Sequence, residues 1–329
     1  MRRSRQTQSA VGWGRAFAVA AALSAQLVCR GQGTNVTVTP IADAFVRSLA
    51  PANNYGGAGA LSVSGSAAVN GSGQQNGLFD SLIRFPMSNV LAAVQGALGT
   101  NGWMVTGATL NLSEVAAPNN PIFNRGVGAF EIRWIATNTW LEGTGTPNAP
   151  AAEGVAYQDL CSLLNPALDM SLGSFTNSGL NATVSFSLAL AGGLVSNVLA
   201  GMDVNLYLTA ASESVGFTFN SRNYTMTNSW PSLTITAVAK PLVRITSIER
   251  LGTNQVALRF NTASNWTYVL QGLDRLSAGS PAYWSNLFIV AAKPLDDQAL
   301  FVDGVTNRQR FYRLLVSIWP APGGFPRWR

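Results

Sequence analysis

Hydrophobic and polar residues alternate with a period of two through most of this chain, which is the signature of half-buried β-strands. Between residues 105 and 115, Ala108, Leu110 and Leu112 alternate with Thr109, Asn111 and Ser113. Between 129 and 135, Phe130, Ile132 and Trp134 oppose Glu131 and Arg133. Further on, Val184, Phe186, Leu188 and Leu190 define one inward face, and Val204, Leu206 and Leu208 another. Shorter strands are expected over residues 36–39, 42–49, 60–64, 78–85 and 217–219, with Leu233 and Ile235 closing the set. Two helical segments interrupt them: residues 87–98, with Ser88 as the expected cap and Gly99 as the stop, and a short turn at 194–199.

Turn chemistry separates the strands. Pro51, Asn53-Asn54, Gly56-Gly57, Gly71 and Gly73 punctuate the stretch from Asp43 to Phe85, and each residue type favours tight turns for its own conformational reason. At Lys240-Pro241 a second series begins, with six short strands expected at 243–248, 255–260, 267–270, 287–291, 299–302 and 311–316. The pattern predicts an all-β chain: a jelly-roll-like β-sandwich over residues 34–238, a second, smaller fibronectin-like β-sandwich over 242–317, and a flexible tail over 318–329.

The motifs of the first unit resemble those of the DNRLRE domain, also classed as carbohydrate-binding module family 96. The resemblance rests on Asp43-Ala44-Phe45-Val46, Asn54-Tyr55-Gly56, Leu61-Ser62-Val63 and Arg84-Phe85. It continues through the segment containing Trp140-Leu141-Glu142 and ends on Ser221-Arg222-Asn223 followed by Pro231-Ser232-Leu233-Thr234-Ile235. It covers roughly residues 36–238 and implies a secreted β-sandwich that binds glycans or is displayed at a surface. The C-terminal series is similar to terminal modules of secreted bacterial multidomain proteins.

Composition supports an extracellular reading. Only 11% of the 329 residues are charged, while 47% are hydrophobic; Asn, Thr, Ser and Gly supply the polar surface. Residues 1–33 read as a signal peptide: Arg2, Arg3, Arg5 and Arg15 precede an apolar run at 16–28 that is too short to span a bilayer. Cleavage is expected after Gly33, with a lipid anchor at Cys29 as the lesser alternative. No later run is long enough for a membrane helix, so no transmembrane segment is expected in the mature chain.

Loss of the first 33 residues lowers the net charge from +6 to +1. Residues 34–239 then carry −5 and residues 240–329 carry +6, so the basic isoelectric point is no argument for a nucleic-acid partner. Cys161, between Leu160 and Leu163, is expected to be a buried thiol.

The chain contains no histidine. Ser-His-Asp and Cys-His catalysis and histidine-ligated zinc are therefore excluded. The only lysines, Lys240 and Lys293, follow Ala237 and Val290 by three residues, so a Ser-x-x-Lys nucleophile is excluded too. A carboxylate pair drawn from Glu131, Glu142, Glu153 and Asp159 is the surviving enzymatic route, since glycosidic bonds can be broken by two acids. The reading favoured here is non-catalytic.

For ligand binding, the alternation places Asn205, Tyr207 and Thr209 on the face opposite Val204, Leu206 and Leu208, where a tyrosine ring could stack on a sugar. Arg47, Arg84 and Trp140 complete the candidate binding set. Asp43 and Asp80 are the candidates for a possible structural calcium. The expected partner is an extracellular polysaccharide or cell-surface glycan. A structural or adhesive envelope protein and a polysaccharide-degrading enzyme remain the alternatives.

Overall fold

The computed structural model describes residues 33–100, 102–115, 126–264, 266–275, 283–305 and 309–318. The expected signal peptide and the tail beyond residue 318 lie outside the described residues, apart from Gly33 and Ile318.

The fold is all-β and sandwich-like, built from curled antiparallel sheets. The first eleven strands are β1 (Gly33–Val38), β2 (Ala42–Arg47), β3 (Ala60–Ser64), β4 (Phe79–Phe85), β5 (Trp103–Val115), β6 (Ala129–Ile135), β7 (Met170–Thr176), β8 (Thr183–Leu188), β9 (Val204–Ala210), β10 (Gly216–Asn220) and β11 (Ser232–Ala239). They join in the order β1-β11-β5-β10-β3-β4-β9-β6-β7, with β2 added on β4 and β8 on β5. The long strand β5 makes this possible. Its body pairs with β11 and β8, and its last residues, Glu114 and Val115, pair with Phe219 and Thr218 of β10. One strand thus passes from the first sheet into the second.

The alternating residues meet in the interior. Leu110 and Leu112 of β5, Phe130 and Ile132 of β6, Leu206 and Leu208 of β9, and Phe217 and Phe219 of β10 are all buried in one core. Aromatic rings interlock there: Phe130 lies 4.9 Å from Phe217 and meets Phe186 edge-on at 5.4 Å. Such tilted and edge-on pairs suit the ring quadrupole better than a face-to-face sandwich. Two helices, α1 (Ser88–Leu98) and α3 (Gly192–Ala200), contribute to the same core through Val90, Val94, Leu194 and Val198. The N-cap of α1 is Met87 rather than Ser88, and it makes no side-chain cap; Gly99 ends the helix as expected. The alternation missed β7, where Met170 and Ser171 are exposed and only Leu172 is buried.

The C-terminal series forms β12 (Ile245–Arg250), β13 (Gln255–Thr262), β14 (Trp266–Leu273), β15 (Ser285–Val290), β16 (Asp297–Gly304) and β17 (Phe311–Ile318). They make two three-stranded sheets, β12-β13-β16 and β15-β14-β17. Leu258 and Phe260 from the first meet Tyr268, Leu270 and Val290 from the second in a separate core. Met104 and Val238 of the larger sheet system pack against this core.

A second layer covers the outer face of the larger sandwich. The segment between β6 and β7 carries a short 3-10 turn (Tyr157–Asp159) and a one-turn helix, α2 (Leu160–Leu163). Its residues Trp140, Val155, Leu160 and Leu163 pack on Ala42, Ala44, Val46, Leu82, Ile135 and Tyr207. The sheet is therefore apolar on both faces over this area. Cys161 corrects its expectation: its neighbours Leu160 and Leu163 face the sheet and are buried, while Cys161 itself is exposed.

Candidate functional site

Asp43, Asn54, Glu142, Arg222 and Asn223 are far apart in sequence and meet in one cluster. Asn54 is the organiser. Its Nδ2 donates to the carbonyls of Glu142 (2.7 Å) and Val155 (2.8 Å), and its Oδ1 accepts from the amides of Gly56 and Gly145, both at 3.1 Å. Three of the four bonds hold the 142–155 segment to the turn after β2, and the fourth, from Gly56, closes the turn itself. The side chain is fully buried, and its polar atoms are matched with partners, as burial of an amide requires. The glycines here are required by close approach. A Cβ on Gly145 would lie 1.9 Å from the Asn54 carbonyl oxygen. Gly143 has φ +76, and a Cβ there would lie 2.2 Å from Asn54 Oδ1. The Asn54-Tyr55-Gly56 turn and the Glu142-Gly143-Thr144-Gly145 run are thus two halves of one interlock.

This interlock places the Glu142 carboxylate, and three donors converge on it: the Asp43 amide at 3.3 Å, Arg222 Nη1 at 2.6 Å and Asn223 Nδ2 at 2.8 Å. Asn223 Nδ2 also donates to the Gly56 carbonyl at 2.8 Å. Arg222 and Asn223 follow β10, and Asp43 lies in β2. The Arg222 amide donates to Asp43 Oδ2 at 2.7 Å. Arg222 is half-exposed and Asn223 exposed, so a guanidinium and a carboxamide stand at the rim over the part-exposed Glu142 carboxylate. Tyr224 and Trp230, in the same segment, are half-buried, and Trp230 Nε1 donates to the Tyr224 carbonyl at 2.8 Å.

Asp43 is fully buried, and its Oδ1 has no partner of hydrogen-bonding geometry. Burial raises its pKa to about 7; the Glu142 charge adds to this, while the Arg222 amide, the Ser221 hydroxyl and the Arg222 charge oppose it.

The candidates drawn from alternation lie elsewhere, and the structure corrects them. Pleating does turn Asn205, Tyr207 and Thr209 away from Leu206 and Leu208, but the side they turn to is not solvent. Tyr207 is 6% exposed beneath the 137–164 segment, and Asn205 is 1% exposed; Thr209 is half-buried. Period two fixes which residues share a face, whereas a second layer decides whether that face is wet. Neither Tyr207 nor Asn205 is available to stack on or bond to a ligand.

Asn205, Trp140 and Arg84 instead form a packed knot. Asn205 Oδ1 accepts from Arg84 Nε and from Trp140 Nε1, both at 3.0 Å. Arg84 Nη2 donates to the Trp140 carbonyl at 2.6 Å, and its guanidinium lies 4.6 Å from the Trp140 ring centroid. Burial lowers the Arg84 pKa, and the Asp203 charge works against that shift. Trp140 is 4% exposed, so it plugs the second layer rather than presenting a platform. Arg47 lies over Phe79 at 5.2 Å and donates from Nε to the Asn76 carbonyl at 3.2 Å.

The two aspartates proposed for calcium do not share a site. Across the β2–β4 pair, Asp43 stands opposite Ile83 and Asp80 opposite Val46. Asp80 and Ile83 are three residues apart on one strand, so they point to opposite faces. Asp80 hydrogen-bonds with Tyr207 and Thr209, and its pKa is raised chiefly by burial. No group of three or more acidic or cysteine side chains able to hold a metal occurs among the described residues. Asp43 and Asp80 therefore do not fit a common calcium ion.

The other acids have their own partners. Glu131 pairs with Arg133 at 3.1 Å, and Asp159 accepts from the Ala156 amide at 2.9 Å. Glu153 is exposed. Sequence reading quoted Glu142, Arg222 and Asn223 as motif residues yet did not place them in the binding set. The signal was there, since polar turn residues that stand outside any apolar period and beside tight glycines are candidates for a tertiary role.

Comparison with known proteins adds no family. No family model matches this chain, and no curated protein matches it. Solved structures resemble it only weakly, two of them as follows. One is the structure of the Macrobrachium rosenbergii nodavirus, at 11% identity and TM-score 0.21, covering 95% of this chain and 97% of that one. The other is the Endo-D glycoside hydrolase domain of Streptococcus pneumoniae R6, at 10% identity and TM-score 0.16, covering 88% of this chain and 37% of that one. Among the described residues, no helix is long and apolar enough to cross a membrane.

Proposed function

We propose that this protein is a secreted, non-catalytic carbohydrate-binding or surface-display protein, and that its ligand-facing group is the Arg222–Asn223 rim held by Glu142. The observation that carries this reading is the convergence of three donors on the Glu142 carboxylate. It fixes a guanidinium and a carboxamide at the protein surface before any ligand arrives. Pre-orientation lowers the entropic cost of binding; a guanidinium carries five N–H donors, of which Arg222 gives one to Glu142, and Asn223, whose two N–H groups go to Glu142 and Gly56, offers its Oδ1 as an acceptor to a hydroxyl-rich ligand. The half-buried rings of Tyr224 and Trp230, in the same segment, add apolar faces of the kind that sugars stack on.

The test is retention on polysaccharide-containing native gels, preceded by a glycan array on the mature chain. Arg222→Lys and Asn223→Ala should each weaken retention about tenfold, equivalent to one or two lost hydrogen bonds, with a melting temperature close to that of the unaltered protein. A folded protein that no glycan retains would overturn the binding reading and favour a structural envelope role. Release of reducing ends or unsaturated products would overturn the non-catalytic one.

A further inference from the structure

The Asp43 carboxyl is the least expected feature of the cluster. It is the second residue of β2, is fully buried, and leaves Oδ1 without a partner while Oδ2 takes the Arg222 amide. The charged groups that face it are few. From the segment after β6 comes Glu142, a like charge, whose Oε1 already accepts the Asp43 amide. From the turn after β10 come the Ser221 hydroxyl and Arg222, whose guanidinium is directed to Glu142 at 2.6 Å rather than to Asp43. From β4 comes the apolar Ile83. A second buried atom of the cluster, Arg222 Nε, is also without a partner.

A carboxylate oxygen in that position is costly when charged, because burial removes water and no cation bonds to it directly. The closed surroundings leave one ligand small enough to relieve it, a proton. We propose that Asp43 is a proton-operated latch, neutral when it locks Arg222 and Asn223 onto Glu142 and ionised when it loosens them. This inference rests on the reading of Arg222–Asn223 as the ligand-facing rim and supplies its regulation.

The mechanism follows from charge. Neutral Asp43 leaves Glu142 as the one acid bound to the Arg222 guanidinium. Ionised Asp43 repels Glu142 and competes for the same guanidinium, so the rim loses its fixed geometry. The raised pKa of Asp43, about 7, puts the change near neutrality. Its sign is definite. The folded value lies above the unfolded value of 3.8, so the stability from protonated Asp43 is complete below about pH 4. It declines as pH rises and is gone above about pH 7.

The experiment reads the latch without needing a ligand. The carboxyl resonance of Asp43, followed by NMR on uniformly labelled mature protein, should titrate near neutrality; a midpoint near that of a free aspartate would overturn the proposal. Exchange of the residue-43 amide, which donates to Glu142 Oε1 and is loosened when ionised Asp43 repels that acid, should accelerate about tenfold between about pH 5 and about pH 8 once corrected for its intrinsic pH dependence. In Asp43→Asn it should not change. Equal acceleration in both proteins would also overturn the latch, and the resonance decides the matter should the variant fail to fold. Where a retaining glycan is found, its affinity should fall over the same range in the unaltered protein alone. A chain that titrates as described yet binds no glycan would keep the latch and reject the binding reading.

Discussion

Asp43 and Arg222 lie 179 residues apart, and the amide of one donates to the carboxylate of the other at 2.7 Å. That contact joins β2 to the turn after β10, and Glu142, from a third segment, bonds to both. The cluster therefore exists only in the folded chain, and disturbing any of the three segments should be felt at the rim.

Asn54→Asp should be strongly destabilising. The change replaces a donor facing the Glu142 and Val155 carbonyls with an acceptor, leaving buried oxygens opposed. A loss of about 3 kcal/mol is expected from the two broken bonds and the unmatched groups. Urea unfolding measures it, and limited proteolysis should show earlier cutting within residues 142–155. An unchanged midpoint would mean that Asn54 does not hold the segment.

Tyr207 should behave as core. Tyr207→Ala should remove about 3 kcal/mol or more, in line with large-to-small changes at buried aromatic positions. Tyr207→Phe should lose about 1 kcal/mol, because it keeps the ring under the second layer and removes only the hydroxyl bonded to Asp80. Denaturant titration of both variants separates ring from hydroxyl. Full stability in Tyr207→Ala would contradict the burial described here.

Glu114, next to the end of β5, should be sensitive as well. This buried acid accepts from Asn177 Nδ2 at 3.0 Å, the Ser178 amide at 2.8 Å, Ser178 Oγ at 2.6 Å and the Gly179 amide at 2.9 Å. Glu114→Gln turns an NH2 group toward those donors. A loss of roughly 2–3 kcal/mol is expected, read by thermal or denaturant unfolding.

Asp80 should give stability a second pH dependence. Its folded pKa is raised above 3.8, chiefly by burial and against its bonds to Thr209 and Tyr207. Its contribution is complete below about pH 4 and is lost as pH rises through the folded value, at no more than about 1.4 kcal/mol per pH unit. Asp80→Asn should flatten its share of the slope, and Asp43→Asn together with it should flatten the slope further. The plot of unfolding free energy against pH decides this; a slope unaltered by Asp80→Asn would show that the group is ionised throughout.

Strand positions and the pairing of faces were legible in the sequence. The spans 60–64 and 129–135 coincide with β3 and β6, and Leu110, Phe130 and Leu206 point where period two places them. Pleating is a local property of the backbone, so neighbours along one strand are enough to reveal it. The absence of histidine likewise settled at once which catalytic devices the chain lacks. What covers a face is not local. Tyr207 is buried because residues 140–163, distant in sequence, fold over it, and nothing beside Tyr207 in the chain records their arrival. The same holds for the cluster of Asp43, Asn54, Glu142, Arg222 and Asn223. Apart from Asp43, which lies in β2, each stands in turn chemistry that the sequence displays, but their meeting depends on which strands pair and in what register, and only the tertiary structure decided that.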